Sequence, residues 1–332
     1  MKRKVNRQYL VFWPIGILLI FTLFFISSIR KNRTDLQMAV EKNLDRISYN
    51  LNSQIEIRLK ILKKLSKNRS IIRLLKGEDG DDNPIILALL NSIRDIASAK
   101  ITYVMNREGT VVGCSSYNGD KTLTGNNYAF RPYFKKALGG RQVIYPAIGV
   151  TTNRRGIYLS KPVQEEDRIL GVLVFKIGME EIDRAIDRIR SPLVFISPSG
   201  VIFASNRRQW ICGVSRSVEN TDIDRIRDSR QFADRPIRLL PFDLTKTKKR
   251  YKSSVYNLYS RNLSINDWKI LMMKEQDTFI QSFLKLWRMN NIINIITLLS
   301  GLFFLTLILL LLKNITDRKS IQTELLTFQE QL

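Results

Sequence analysis

Residues 126–160, NNYAFRPYFKKALGGRQVIYPAIGVTTNRRGIYLS, hold the residue types best suited to chemistry. Phe130, Arg131, Tyr133 and Phe134 set a guanidinium among rings. A small-residue turn follows at Gly149, Val150, Thr151 and Thr152, and Tyr158 and Ser160 stand two apart on an alternating strand. A guanidinium offers a carboxylate a planar fork of parallel N–H bonds, while hydroxyls and turn amides add further donors. The chemistry these residues suit is the capture of a small anion.

The elements that must position them are legible as changes of period. Leu36, Val40, Leu44, Ile47, Leu51, Ile55, Leu59 and Leu62 recur every three or four residues, which predicts a long helix with one apolar stripe. That stripe suits either a partner's surface or the chain's own core. A second helix is predicted over 85–99, after the polar turn 77–84; this turn lacks the alternating ligands and closing glutamate of a calcium loop. From Ile101 the pattern alternates. Residues 101–116 read as a hairpin turning at Glu108 and Gly109, 130–138 as a short helix or turn, 142–163 as two strands, and 169–177 as a central strand entering a helix at 179–189. The order then recurs, with a hairpin at 193–206, a central strand at 268–275 and a helix at 278–287. The fold class is α+β, two similar lobes on a long N-terminal helix.

Two charge-free runs, 10–29 and 292–312, are each long enough to cross a hydrocarbon core. Lys2, Arg3, Lys4 and Arg7 precede the first, which outlasts a signal-peptide core and has no small-x-small site after it, so it reads as an uncleaved anchor. Basic residues before the first run and after the second (Lys313, Arg318 and Lys319) favour cytoplasmic termini, although Arg30, Lys31 and Arg33 weaken the asymmetry. The resulting organisation is an N-tail at 1–9, spans at 10–29 and 292–312, a helical entry at 30–100, a membrane-distal lobe at 101–190, a membrane-proximal lobe at 191–291, and a signalling helix from 313. The net charge of +24 leaves +20 between the spans. These basic residues are scattered and accompany no nucleic-acid motif, so they read as a solvated surface that draws in anions. The chain has no histidine and its two cysteines have no metal-ligand spacing; no metal or cofactor is expected, and Cys114 and Cys212 are either bridged or free and buried.

The two-lobed organisation between spans resembles the double Cache (PDC-like, PAS-like) extracytoplasmic sensor. The stretches NYAFRPYF, GVTTNRRGIYLSKPV and GVLVFKI are similar to the sensor region of C4-dicarboxylate sensor histidine kinases. The resemblance implies that Arg131 grips one carboxylate of a succinate-like ligand, that Thr151 and Thr152 supply donors, that Tyr133 and Tyr158 line the pocket, and that Lys176 meets the other carboxylate. The residue chemistry agrees: Lys176 leaves its strand on the face opposite Phe175 and Ile177, and two cations suit a dianion, whereas an amino acid would need a carboxylate for its ammonium group. The competing structural roles are an acid partner for Arg131 and a snorkelling edge position for Lys176.

After Leu312, Ile321, Leu325, Phe328 and Leu332 fall at helical gaps, and no acceptor histidine or glycine-rich nucleotide segment follows. The expectation is a membrane sensor half without a kinase core, dimeric and signalling to a separate partner. It is expected to bind a dicarboxylate in lobe one, where closure of the pocket moves the long helix against the second span. The alternatives are a membrane scaffold with a vestigial pocket and the sensor half of a chemoreceptor.

Overall fold

The structure, a computed structural model, describes residues 7–78, 83–117, 121–214, 224, 226–233, 235–244, 248–251, 254–265, 267–276, 281 and 291–329. All but residue 281 of the predicted helix at 278–287, and residues 79–82 of the polar turn at 77–84, lie outside the described residues. The chain divides into two compact units, one of Ala39–Gln276 and one of the described parts of Met1–Met38 and Asp277–Leu332.

Helix α1 runs from Arg7 to Leu65. Within the larger unit its stripe meets the chain's own core: Val40, Leu44, Leu51, Ile55 and Leu62 are buried, with Ile47 and Leu59 packed beside them. Of the two uses open to the stripe, the chain's own core takes these seven residues. Asn68 caps α2 (Arg69–Leu75) by accepting from the Ser70 and Ile71 amides, and Asn83 caps α3 (Pro84–Ile96) by accepting from the Ile85 amide.

Lobe one is a five-stranded antiparallel sheet in the order β2-β1-β5-β4-β3, built from β1 (Ile101–Asn106), β2 (Val111–Cys114), β3 (Val143–Ile148), β4 (Arg155–Glu165) and β5 (Arg168–Gly178). The period of two sorts its faces. Val104, Leu159, Leu173 and Phe175 join the core shared with α1, α2 and α3. Tyr103, Tyr158, Val172 and Val174 face the other way, toward α4 (Pro132–Leu138).

Helix α5 (Glu180–Asp187) leads into lobe two, whose sheet order β10-β11-β12-β6-β7 repeats that of lobe one. Its strands are β6 (Leu193–Ile196), β7 (Ile202–Ser205), β10 (Lys248–Tyr251), β11 (Ser254–Asn262) and β12 (Lys269–Glu275); β8 (Gly213–Val214) and β9 (Arg238–Leu239) form a small parallel pair. The predicted hairpins and central strands of both lobes are present. The lobes are joined by Arg155, which pairs with Asp183 at 2.7 Å and donates to the Phe203 carbonyl at 3.0 Å.

Cys114 and Cys212 are free and buried. In the other unit, α6 (Asn291–Gln329) contains Leu299–Thr323, the one stretch among the described residues long and apolar enough to cross a membrane, with a mean hydropathy of 1.9. Residues 10–29 are helical within α1, and the side chains of many of them lie outside the described residues.

Candidate functional site

One cavity in lobe one gathers Arg131, Tyr133, Thr151, Thr152, Tyr158 and Lys176, all six residues singled out in the sequence. Ile101, Tyr103, Leu123, Tyr128, Gly149 and Val150 complete its wall. Register explains the meeting. Lys176 of β5 lies opposite Tyr158 of β4 on one side and Ile101 of β1 on the other, so their side chains share a face. On that same face Ser160, two residues along from Tyr158, donates its buried hydroxyl to the Tyr133 carbonyl at 3.0 Å and fixes α4 over the sheet. The rings of Tyr133 and Tyr158 then stack with centroids 5.0 Å apart.

Arg131 is the N-cap residue of α4 and is only 1% exposed. Its guanidinium donates to the Ile148 and Arg230 carbonyls, each at 2.8 Å, and lies 5.3 Å from the centre of the Phe130 ring. A guanidinium has five N–H donors, so about three remain for another acceptor. The acid partner considered as its structural role is not what holds it; two carbonyls do.

Lys176 is 4% exposed on a central strand, which rules out the snorkelling edge position. Its ammonium donates to Thr152 Oγ1 at 2.6 Å and sits 5.5 Å from the centre of the Tyr158 ring. Burial pushes its pKa from 10.5 down to about 8, the Arg131 and Arg154 cations push the same way, and Glu180 opposes them. Among the described residues no carboxylate forms an ion pair with Arg131 or Lys176.

The remaining wall is neutral. Tyr103 and Tyr133 share a hydrogen bond at 2.8 Å, as do Tyr128 and Thr151, and burial raises the pKa of all three tyrosines. The Tyr158 hydroxyl is likewise raised by burial and has no hydrogen-bond partner among the described residues. The turn Gly149 to Arg154 closes the cavity. A Cβ on Gly149 would stand 2.5 Å from Thr152 Oγ1 and 2.9 Å from both Lys176 Nζ and Tyr158 Oη, so only glycine lets these three polar groups converge. The enclosed volume is about 20 Å³, room for about one water; counting the mouth and the spaces between side chains, it is about 300 Å³.

Tyr128, Tyr103 and Gly149 are wall residues beyond those six. Tyr128 lay three residues before Arg131 in the same stretch, and Gly149 opened the turn. Tyr103 was legible only as one alternation of a hairpin. The contact from Arg230, 99 residues from Arg131, left no local signal.

The family profile described as a Cache domain matches residues 27–283, more than half of the chain. This chain belongs to the Cache domain family. The Cache domain here is similar to the C4-dicarboxylate transport sensor protein DctB of Pseudomonas aeruginosa, 28% identical over 259 residues, covering 76% of this chain and 40% of that protein. It is also similar to DctB of Rhizobium meliloti, 24% identical and covering 73% of this chain and 40% of that protein. The chain thus spans about two-fifths of the length of these curated relatives. The sensor domain of the V. cholerae histidine kinase DctB superposes with a TM-score of 0.67 at 25% identity, covering 74% of this chain and 100% of that domain. The resemblance read from NYAFRPYF, GVTTNRRGIYLSKPV and GVLVFKI therefore holds at the level of family and fold.

Proposed function

We propose that this chain is a membrane-anchored sensor that binds a C4-dicarboxylate in the lobe-one cavity and passes the signal across the membrane. One observation carries the reading: Arg131 and Lys176, both buried, line one cavity with no carboxylate paired to either among the described residues. Two desolvated cations facing a common space suit a dianion, because burying an uncompensated charge is costly and an entering carboxylate offsets it. The relatives named as C4-dicarboxylate sensors support the same class of ligand.

In this reading Arg131 forks one carboxylate and Lys176 meets the other. Thr152, whose hydroxyl accepts from Lys176 and still has its own proton, donates to the ligand together with Thr151 and the turn amides. Tyr133 and Tyr158 form the flat wall. The enclosed volume is too small for a four-carbon diacid, so the turn Gly149 to Arg154 opens to admit the ligand and reseats over it. Residues 101–190 form the membrane-distal lobe and 191–291 the proximal one, while 10–29 and 292–312 serve as two spans with both termini in the cytoplasm. The sensor works as a homodimer, with α1 and α6 carrying the movement to a kinase module or partner.

The test is calorimetric titration of the full chain in nanodiscs with succinate, malate, fumarate and an amino-acid panel, beside Arg131→Lys and Lys176→Met. Dicarboxylates binding the wild type, with each variant weaker by tenfold or more, is the expected result. An amino acid binding in their place, or no binding at all, refutes the assignment; retained assembly without any ligand would turn the reading to a scaffold.

A further inference from the structure

The wall of the lobe-one cavity is held in part by lobe two. Residues 229–233 and Arg235 of lobe two reach β3, an edge strand of the lobe-one sheet, and the turn after it. The Ile148 amide donates to the Gln231 carbonyl at 2.8 Å, and the Gln231 side-chain amide donates to the Pro146 carbonyl at 2.7 Å. Arg235 reaches the turn itself, donating to the Asn153 carbonyl at 3.0 Å and to Asn153 Oδ1 at 3.3 Å. Between them the Arg230 carbonyl accepts from Arg131, and the Arg230 guanidinium lies over the same Phe130 ring, 5.5 Å from its centre.

These contacts act on the two parts of the cavity that must be placed for binding. The bonds to the Ile148 and Arg230 carbonyls fix the plane of the Arg131 guanidinium, because a planar fork with two of its N–H groups engaged has little freedom left. The Arg235 bonds hold Asn153, which sits at a left-handed φ of 49° in the turn that has to open and reseat. The strap has two left-handed residues of its own, Arg230 at 46° and Ala233 at 53°, a conformation that persists only where surrounding contacts hold it.

We infer that Gln231 and Arg235 of lobe two are positioning residues for the lobe-one ligand site, setting its affinity by aiming Arg131 and seating the turn Gly149 to Arg154. The inference rests on the dicarboxylate reading for the identity of the ligand. Linkage makes the effect reciprocal: if the strap strengthens binding, the bound ligand strengthens the strap by the same factor. Occupancy of lobe one is thereby written into lobe two at residues 229–233 and Arg235.

The experiment uses the full chain in nanodiscs. Succinate affinity is measured for the wild type, Gln231→Ala, Arg235→Ala and the control Arg238→Ala, whose guanidinium bonds the Gln209 carbonyl within lobe two. Hydrogen exchange is followed in the wild type with and without succinate. Gln231→Ala and Arg235→Ala should each weaken binding about five- to tenfold, with Arg238→Ala within twofold of wild type. Succinate should slow exchange of the Ile148 amide and of residues 229–233, a readout that a merely structural role leaves unmoved. Affinities unchanged in both variants, an equal loss in Arg238→Ala, or unchanged exchange in the wild type each overturn the inference. Should the variants not fold, the wild-type exchange decides alone. A wild type that binds no dicarboxylate brings down the functional reading and this inference with it, whereas normal binding with unchanged exchange brings down this inference only.

Discussion

Raising the pH from 7 to 9 should weaken dicarboxylate binding about tenfold, and the reason is one side chain. Lys176 has its pKa pushed down to about 8 by burial and by the neighbouring Arg131 and Arg154 cations. With that value about nine-tenths of the ligand-free protein has a charged Lys176 at pH 7 and about one-tenth at pH 9. A diacid stays fully ionised throughout, since carboxylic acids titrate near pH 4. If the ligand requires the ammonium form, the apparent affinity follows that fraction, and about 1.4 kcal/mol of binding free energy is lost over the two units. Near pH 8 each bound ligand should also draw in about half a proton.

Calorimetry in two buffers of different ionisation enthalpy measures both quantities at once. Lys176→Met should bind more weakly at pH 7 and lose the dependence on pH. An affinity that stays flat between pH 7 and 9, with no proton uptake, would refute the placement of Lys176 against the ligand.

Two further perturbations test the geometry around that lysine. Gly149→Ala places a methyl against Thr152, Lys176 and Tyr158, and should abolish measurable succinate binding in a titration while circular dichroism stays that of the wild type. Arg155→Ala removes a largely buried partner of Asp183 and should lower unfolding free energy in a denaturant titration by about 2–3 kcal/mol, because Arg208, 3.2 Å from Asp183, offsets part of the loss.

Much of this fold was legible because its elements obey one period each. The α1 stripe, the two hairpins and the central strands β5 and β12 follow from spacing that a single element satisfies by itself. The site was legible to the extent that its residues lie on those elements: Tyr158, Ser160 and Lys176 are placed by strand alternation, and Arg131 by the short helix it caps. What the sequence could not convey was convergence between distant segments. The two carbonyls that hold Arg131 belong to a strand end and to a loop 99 residues away, and main-chain acceptors have no residue signature. Nor did the spacing of the α1 stripe distinguish a partner from the chain's own core, because an apolar face is the same whatever covers it.

The repeated topology shows what the lobe-one cations cost. By register Tyr103 corresponds to Val194, Val174 to Leu271, and Lys176 to Met273, which is 1% exposed. Where lobe one buries an ammonium, lobe two buries a thioether among Trp210, Leu240 and Phe242. The same sheet can therefore fill that face with apolar side chains, and doing so generally stabilises a protein that would otherwise bury charge. The fall of the Lys176 pKa from 10.5 to about 8 corresponds to about 3 kcal/mol against holding it charged. Lys176→Met should consequently raise the stability of the ligand-free protein at pH 7, by about 2 kcal/mol once the lost bond to Thr152 is allowed for. The sign with pH follows from the unfolded chain binding more protons than the folded one between about pH 8 and 10.5: wild-type stability relative to the variant rises across that window and falls as the pH drops through 8. Excess succinate should narrow that difference at pH 7, because a variant that binds at least tenfold more weakly gains at least about 1.4 kcal/mol less from the ligand. Denaturant titrations of both proteins, with and without succinate, measure all three. A ligand-free Lys176→Met less stable than wild type at pH 7 would mean that the lysine is held for structure, and that its charge does not wait for a ligand.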